Sequence, residues 1–521
     1  MTTSRKPLES IKHSDPAKRK IYELPELAPL IAELKANGKR IIHCHGVFDL
    51  LHIGHMRHFA EAKTLGDILV VSLTEDRYVN KGPHRPAFPE HLRAEAIAAL
   101  AGVDFVTISR SANAGEMIAG LRPDVYVKGP DYKNHHEDIT GGIDLEEQAV
   151  RAHGGIVHYT DGETYSSSAL LNRHVPTFAP ATETYLEGFR QAYSFSDIMH
   201  YIDRLSELEV VVTGEAILDE YIYCEQMGKS AKDPVLAMRY HSRELFAGGS
   251  LAVANHLANF VKRVTLLTFL GEHEPQEAFI RSKLAPNVTP VFFEKADSPT
   301  IVKRRYVEHY LRSKHFEVYH INDEPLTSQE ETTLCALFDE YLPQADMVVA
   351  ADFGHGLLTT NAIAHLTQNS RFLAVNTQIN AANIRYHAIS AYDRADYICI
   401  NEQEVRLDAR NRHAELSELV QQLSARLVCE RLLVTRGSSG VTYFERATEH
   451  SSPAFATTVV ERTGSGDAVL AITSAAVAVG APGPIVAFLA NVIGAQKVQI
   501  IGNRSAVDRI ATLKFIASLL K

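Results

Sequence analysis

The sequence predicts an α/β protein of two doubly wound domains, and three observations support this class. Short apolar strands alternate with helices in both halves of the chain, a pattern typical of parallel sheets covered by helices. The 521 residues are too many for one hydrophobic core. A glycine-containing motif occurs in each half, at residues 45–55 and 463–468. We predict an N-terminal extension over 1–36, a first domain over 37–173, a linker over 174–207 and a second domain over 208–521.

Composition and charge exclude several classes of protein. Hydrophobic residues make up 45% and charged residues 22% of the chain, as in ordinary globular proteins. The net charge of −10, with no long basic run, argues against nucleic acid as a partner. The 5 cysteines are far apart and form no CxxC pair, which predicts reduced thiols and no zinc ribbon. With no apolar signal core and no apolar run of about 18 residues, we expect a cytoplasmic protein that does not bind membranes.

The first domain is predicted from its elements in chain order. A helix over 24–36 ends at Asn37-Gly38, a pair that favours a turn. Apolar runs then predict short strands, and an amphipathic helix is predicted over 89–101. The predicted strands are 40–44, 67–73, 105–108, 125–127 and 156–159.

The second domain begins after a stretch with no strand pattern. That stretch contains Pro176 and Pro180 and is predicted to be a linker. A second alternating series follows, and helices close the domain after Gly466. Its predicted strands are 210–214, 264–267, 347–350, 372–375, 397–400 and 432–435.

The first motif, residues 45–55, reads HGVFDLLHIGH. A strand runs into Gly46, and a helix starting near His52 would direct its N-terminal N–H groups at the carboxyl end of the sheet. His52 and His55 share one helical face and could donate hydrogen bonds to phosphate oxygens, while Gly54 allows close approach of a ligand. An HxxH pair alone also fits an incidental pair or a metal site, although no third ligand stands at a defined spacing.

The complete string resembles the nucleotidylyltransferase superfamily with the HxGH signature, which includes glycerol-phosphate cytidylyltransferases and heptose-phosphate adenylyltransferases. Segments 81–86, 99–104 and 123–132, together with Arg93, resemble the heptose branch, and 162–168 resembles its terminal serine/threonine motif. The resemblance implies a Rossmann-like domain. It implies catalytic roles for His52, His55 and Lys81, a substrate-binding role for Arg85, and nucleotide binding by Gly46, Phe48, Asp49, Gly54, Arg93, Lys128, Asp131, Ser166, Ser167 and Ser168.

Two departures from the family pattern leave open which nucleotide this domain uses. His45 stands where the family often has Asn, and Pro130 where it often has Gly. The cations of this domain could also be solvated surface charges. We therefore expect either ATP or CTP as the nucleotide of this domain.

The second motif, residues 463–468, reads TGSGDA and precedes a helix of small residues over 468–479. Its two glycines and the helix N-terminus offer free N–H groups to an anion. Asp467 is placed to take a proton from a hydroxyl that attacks a γ-phosphate. Taken alone, the motif favours a glycine turn with an N-capping Asp. The chain has no Walker A sequence, so it is not predicted to be a P-loop kinase.

The surrounding residues resemble the ribokinase-like sugar kinases. Within them, segments 214–221, 298–305 and 351–356 are similar to the heptose-phosphate kinase half of bifunctional heptose kinase/adenylyltransferases. The resemblance implies that Asp467 is the base. It further implies substrate binding by Asp219, Gly248, Gly249, Asn255, Lys303 and Arg305, an ATP site of Thr435, Gly437, Gly464, Ser465, Gly466 and Asn491, and Mg²⁺ organised by Asn401 and Glu404.

Three departures separate this chain from the heptose enzymes. The two domains stand in reversed order. The glycine pair is followed by residues 250–255, SLAVAN, where the family has an early Asn, and residues 376–378, NTQ, replace an Asp-Pro-Lys segment. The acceptor pocket is therefore predicted to be altered, while the phosphoryl-transfer residues are retained.

The predicted function is the activation of a sugar in two steps. The second domain would phosphorylate a sugar or sugar phosphate with MgATP, and the first would join the sugar 1-phosphate to a nucleotide and release pyrophosphate. The resemblance implies a homodimer, with a nucleoside triphosphate and a sugar phosphate as substrates. One alternative is a cytidylyltransferase acting on a sugar or polyol phosphate, with a silent kinase-like domain for binding or dimerisation.

Overall fold

Two compact units make up the chain. The computed structural model describes residues 18–79, 85–111, 113–130, 142–161, 178–384 and 386–521. One unit comprises Met1–Thr177 and Leu513–Lys521, and the other Phe178–Thr512. Each contains a largely parallel sheet flanked by helices, which confirms the predicted α/β class.

The sheet of the first unit has five parallel strands in the order β3-β2-β1-β4-β5. The strands are β1 (Ile41–Gly46), β2 (Ile68–Thr74), β3 (Phe105–Ser109), β4 (Val125–Lys128) and β5 (Ile156–Tyr159). The order of connection reverses between β1 and β4. Ligands of such sheets bind at the carboxyl ends of the strands that flank this reversal, so the end of β1 is the expected site.

The helices of the first unit cover both faces of its sheet. They include α1 (Leu24–Ala36), α2 (Ile53–Lys63), α3 (Glu90–Ala98), α4 (Gly115–Leu121) and α5 (Gly142–Ala152). Leu27 and Ile31 of α1 are buried against Ile41 of β1 and Met117 of α4. Helix α1 is therefore part of this domain's core, although the sequence places it in an N-terminal extension.

The large sheet of the second unit has nine strands in the order β10-β9-β6-β13-β14-β15-β16-β17-β18. Those from β10 to β16 pair in parallel, and β17 and β18 add an antiparallel edge. Its strands are β6 (Glu209–Gly214), β9 (Arg263–His273), β10 (Val288–Pro299), β13 (Met347–Asp352), β14 (Leu373–Thr377), β15 (Tyr397–Asn401), β16 (Arg431–Thr435), β17 (Val441–Glu445) and β18 (Thr448–Ser452).

A second, four-stranded sheet in this unit was not predicted. Its strands are β7 (Ala216–Lys229), β8 (Leu236–Gly249), β11 (Ile301–Glu308) and β12 (Lys314–His320), in the order β12-β11-β7-β8. Strand β7 pairs in parallel with β11 and antiparallel with β8, and this register places Asp219 beside Lys303. The sheet thus brings together polar residues that lie far apart in the sequence.

The segment predicted as a linker instead contains two helices, α6 (Pro180–Ala192) and α7 (Phe195–Leu205). The ring of Phe189 stacks on Phe488 with centroids 4.2 Å apart, and Leu186 and Ile198 are buried. Pro180 stands in the first turn of α6, where proline is favoured. It starts a helix here instead of marking a loop.

The remaining described helices follow strands of the two sheets or close the chain. They include α8 (Ser250–Ala258), α9 (Glu277–Lys283), α10 (Ser328–Tyr341), α11 (Thr360–Asn369), α12 (Glu402–Asp408), α13 (Leu416–Arg426), α14 (Ser465–Ala478), α15 (Gly483–Lys497) and α16 (Arg509–Leu519). Within the described ranges, the helices are too short or too polar to cross a membrane.

Candidate active sites

The first motif forms the end of β1, a tight loop and the first turn of α2. A Cβ at Gly46 would lie 3.0 Å from the ring of Phe48, so glycine leaves room for that ring. Phe48 itself has a φ of 48°, which non-glycine residues rarely adopt. The buried Asp49 carboxylate holds the loop, because it accepts hydrogen bonds from the N–H groups of Ala87 and Phe88 at 2.8 and 3.3 Å.

His52 and His55 lie together at the N-terminus of α2, with ring centroids 3.9 Å apart. His52 caps the helix, and its Nδ1 accepts a hydrogen bond from the N–H of Gly54 at 3.1 Å. The proton of the neutral ring is therefore on Nε2. Burial lowers the pKa of His52, which favours this neutral form. The arrangement offers an imidazole N–H and a helix N-terminus to an anion.

Three positively charged residues, Lys128 and Arg93, predicted to bind the nucleotide, and Arg85, predicted to bind the substrate, are bonded inside the protein. The Lys128 ammonium lies 2.7 Å from the Glu146 carboxylate, and Arg85 lies 3.8 Å from Asp49. Arg93 is 2% exposed. Its guanidinium donates hydrogen bonds to the carbonyl oxygens of Val47, Thr74 and Phe88 and to the Asp76 carboxylate. Through these contacts, Arg93 holds the loop after β1 in place.

A chain of hydrogen bonds that was not predicted runs through the end of β1. Ser72 Oγ lies 2.7 Å from His43 Nε2 and 2.8 Å from His45 Nδ1. Burial lowers the pKa of both histidines to about 3, so both rings are neutral at pH 7. The alternation of His43 and His45 along a strand, which places both on one face, is the signal that could have revealed this chain.

Some predicted residues of this site lie outside the described residues, namely Lys81, Asp131, Ser166, Ser167 and Ser168. In the part of the chain that the structure describes, no group of three or more His, Cys, Asp or Glu side chains could hold a metal ion. The metal interpretation of the His52 and His55 pair therefore gains no support from these residues.

The second motif forms the turn before α14 and the first turn of that helix. Gly464 has a φ of 77°, and a Cβ there would lie 2.6 Å from Oδ1 of Asn503. The positive φ and the lack of space for a Cβ both require glycine at this position. Asp467 is buried in the first turn of α14. Burial, and next the charge of Asp219, raise the pKa of Asp467 to about 6.

Asp219 forms the opposite side of this site. Its carboxylate makes an ion pair with Arg305 and accepts a hydrogen bond from Asn503 Nδ2 at 3.3 Å. A Cβ at Gly248 would lie 2.1 Å from Oδ2 of Asp219, so the glycine pair at the end of β8 lets the carboxylate approach the backbone. Lys303 is buried nearby, and burial lowers its pKa. The predicted Asp219, Gly248, Lys303 and Arg305 thus meet.

The model of the pfkB family carbohydrate kinases matches residues 207–509, more than half of the chain. The chain belongs to the pfkB family. A cytidylyltransferase-like model matches residues 43–173, so a nucleotidylyltransferase-like domain precedes the kinase domain.

Two curated relatives carry the name bifunctional protein HldE. That of Pelobacter propionicus is 39% identical over 160 residues, 30% of this chain and 31% of the relative. That of Geotalea uraniireducens is 38% identical over 163 residues, 30% of this chain and 32% of the relative. The matched part of this chain spans about a third of the length of these relatives.

Solved structures of phosphofructokinase-2 from Escherichia coli share the fold of the kinase domain. The complex with substrates and products has a TM-score of 0.51 at 15% identity, and covers 60% of this chain and 100% of that chain. The complex with potassium has a TM-score of 0.51 at 16% identity with the same coverage.

Asn401 and Glu404 of the kinase domain form a reciprocal cap at the start of α12. Asn401 Oδ1 accepts from the N–H of Glu404 at 2.9 Å, and Glu404 Oε2 accepts from the N–H of Asn401 at 2.8 Å. Glu404 Oε1 accepts a further N–H, from Ile379, at 3.1 Å. Burial raises the pKa of Glu404 to about 7 despite these bonds.

The predicted ATP-site residues lie on three elements of the kinase domain. Thr435 ends β16, and Gly437 follows with a φ of 58°. Asn491 on α15 donates a hydrogen bond to the carbonyl of Ser452 at 3.0 Å. Asn491 therefore links α15 to β18, while Gly464, Ser465 and Gly466 form the turn and first residues at α14.

Asn255 does not join the Asp219 group. Its amide donates to the carbonyl of Lys283 at 3.0 Å and accepts from the N–H of Ala285 at 2.9 Å. These bonds tie α8 to the loop after α9. Asn255 therefore does not take the place of the sugar-binding Asn that the family has nearer to the glycine pair.

Asparagine side chains in and just after the segment 376–378, which departs from the heptose enzymes, bond to backbone carbonyls of neighbouring strands and loops. Asn376 donates to the carbonyl of Cys399 at 2.6 Å. Asn380 and Asn383 both donate to the carbonyl of Phe353, at 2.9 and 2.8 Å. These asparagine side chains are thus satisfied by the protein, which supports an acceptor pocket of different shape.

Proposed function

We propose that the chain is a bifunctional enzyme that activates a heptose-like sugar. The kinase domain phosphorylates a sugar or sugar phosphate, and the first domain converts the sugar 1-phosphate to a nucleotide sugar. The observation that carries the proposal is the position of Asn503, whose amide donates to Asp219 at 3.3 Å. Its Oδ1 lies 2.6 Å from the position of a Cβ on Gly464, in the turn before Asp467 and the N-terminus of α14. This arrangement provides a base, an acceptor-binding carboxylate and N–H donors within one site.

In the kinase step, a sugar hydroxyl oxygen bonds to the γ-phosphorus of ATP as the bond to the leaving ADP oxygen breaks. Asp467 accepts the hydroxyl proton. The turn at Gly464 and the first N–H groups of α14 bind the transferred phosphoryl group. Asp219, held by Arg305, orients the acceptor.

Mg²⁺ is the ion that we expect with ATP. The two oxygens of Glu404 each accept one N–H and retain a second lone pair. This donor set suits Mg²⁺, which keeps several waters and binds through substrate phosphates with one or two carboxylates. Bound Mg²⁺ neutralises charge on the phosphate oxygens. Glu404 and Asn401 are the residues that would hold it.

In the transferase step, an oxygen of the sugar 1-phosphate bonds to the α-phosphorus of the nucleotide, and pyrophosphate leaves. The N–H groups of His52, His55 and the start of α2 stabilise the charge that grows on the α-phosphate. The reaction needs no covalent intermediate and depends on positioning.

The test is a screen of sugars and sugar phosphates with ATP, CTP and Mg²⁺, read by mass spectrometry. A nucleoside diphosphate sugar formed from an unactivated sugar or sugar phosphate supports both activities. Product formed only from supplied sugar 1-phosphate would contradict the kinase assignment.

The bonded segment around Asn376 and Asn383 favours a second candidate, a cytidylyltransferase whose kinase domain is silent. Pyrophosphate release with CTP but not with ATP would support it. Turnover of ATP that is lost in Asp467→Asn but not in His52→Asn would exclude it. The family resemblance also supports a homodimer, which analytical ultracentrifugation measures directly.

Kinase activity should fall as pH drops through about 6, because Asp467 must be deprotonated to act as the base. Burial and the charge of Asp219 raise the pKa of Asp467, and Lys497 and Lys303 lower it. Glu404 also faces Asp467, whose charge raises the pKa of Glu404. The measurement is the pH profile of kcat at saturating substrates. Profiles that stay flat to pH 5 would contradict this role for Asp467.

Gly248→Ala should lower kcat/KM for the sugar acceptor by about 10²-fold, because the new methyl group displaces the Asp219 carboxylate. The KM for ATP should not change. Gly188→Ala is the matched control, since a Cβ there meets nothing within 4 Å. Equal losses in both variants would contradict the steric argument.

A further inference from the structure

Lys497 is fully buried at the end of α15, a helix of mainly apolar residues. Its ammonium donates hydrogen bonds to two carbonyl oxygens, of Thr463 at 2.9 Å and of Gly502 at 2.7 Å. The position of a Cβ on Gly464 lies 3.3 Å from Lys497 Nζ. The ammonium is therefore in contact with the turn that precedes Asp467.

Two loops meet around this ammonium. One precedes α14 and the other follows α15, and Glu461 Oε2 joins them by accepting the N–H of Gly502 at 2.7 Å. The N–H of Val460 also donates to the carbonyl of Val498 at 2.8 Å. The second loop carries Asn503, which reaches Asp219. The position of Lys497 thus affects both the anion-binding turn and the acceptor-binding carboxylate.

A buried ammonium is costly, and an apolar residue of similar size would usually be no less stable. The three negative groups that face Lys497 are Asp467, Glu461 and Asp219, and their charges oppose the effect of burial on its pKa. Its two carbonyl partners are the ligands that also replace the water shell of a potassium ion. The free-energy cost of burying Lys497 and the carbonyl and carboxylate groups around its ammonium therefore point to a function for the positive charge.

We propose that Lys497 is a positioning residue whose ammonium serves as a built-in monovalent cation for the kinase site. It binds the carbonyl groups of the two loops, fixes the turn at Gly464 and places a positive charge near Asp467. Its effect on the reaction rests on the proposed kinase function. Its effect as a cation on the two loops does not rest on that function, so the effect on the reaction and the effect on the loops can be tested separately.

The first test uses Lys497→Met, which removes the charge and leaves space beside the two carbonyls. Thermal unfolding is measured against KCl concentration, with tetramethylammonium chloride holding the ionic strength constant. We expect a saturable rise of Tm with K⁺ in the variant and none in the wild type. This readout does not need an active kinase.

The second test measures kinase rates with the acceptor found in the screen. Lys497→Met should lower kcat about 10²-fold, and K⁺ or NH₄⁺ should restore part of it. The acid limb of the pH profile should move to higher pH, because the positive charge near Asp467 is lost while Asp219, Glu404 and Lys303 remain. If the wild type proves inactive, the unfolding experiment alone decides the cation role.

Lys314→Met is the matched control. Lys314 binds the same turn from its exposed side, with Nζ 2.7 Å from Thr463 Oγ1, and its removal should create no site for K⁺. Should Lys497→Met fail to fold, Lys497→Gln retains neutral donors and should still show the shifted acid limb. The proposal is overturned if K⁺ has no specific effect on a folded Lys497→Met, or if Lys497→Gln keeps the wild-type kcat and pH profile.

Discussion

Replacement of Asp467 by Asn should lower the kinase kcat by about 10²–10⁴-fold and leave nucleotidylyl transfer unchanged. Asn has nearly the same shape and can occupy the buried first turn of α14, but it cannot accept the hydroxyl proton. The measurement is ADP formation with acceptor and pyrophosphate release with sugar 1-phosphate, on the same preparation.

Stability provides the control for this variant. Because the pKa of Asp467 is higher in the folded protein than in the unfolded chain, its ionisation destabilises the fold as pH rises from about 4 to 6. Asp467→Asn should therefore unfold at the same or a higher temperature at pH 8. A folded variant with wild-type kcat would show that Asp467 is not the base.

Replacement of His52 by Asn should lower the transferase kcat by about 10²–10³-fold, the usual effect of removing one donor to a charge that forms in the transition state. Asn is among the best helix-capping residues, so α2 should be retained. The measurement is pyrophosphate release at saturating nucleotide, with kinase activity as the internal reference.

His58→Asn on the same helix tests whether α2 itself is disturbed. His58 lies near Thr160, with Nδ1 3.2 Å from its Oγ1, and is not among the residues predicted to bind phosphate. It should retain transferase activity. A loss equal to that of His52→Asn would assign the effect to helix packing and contradict a direct role for His52.

Elements with a local apolar pattern were predictable, and those made by distant pairing were not. Strand β5 has the bounds that the sequence indicates, as does helix α1. The four-stranded sheet was missed, because β12 is exposed along most of its length and β11 alternates buried and partly buried residues. Its pairing of Ile217 with Ile301 depends on contacts across a long stretch of chain, which no local pattern reveals.

In the candidate sites too, local features were predictable from the sequence and distant contacts were not. The sequence indicates the residue types at the two helix N-termini, since their spacing along the chain determines which share a face. The sequence does not indicate which groups inside the protein these side chains bind. Arg93 is a cation in a nucleotide-binding motif, yet four acceptors inside the domain surround its guanidinium. Lys497 has no sequence signal beyond a lysine in an apolar helix, because its carbonyl partners come from two loops.

The stacking of Phe189 on Phe488 determines where this protein can be divided into transferable modules. A fragment beginning at residue 208 would lack α6 and α7 and expose the apolar surface that Leu186, Phe189 and Ile198 cover, so it should aggregate. A fragment beginning at residue 178 keeps that surface covered. Recombination that exchanges or reorders the two catalytic modules would preserve the kinase only if its breakpoint fell before these helices.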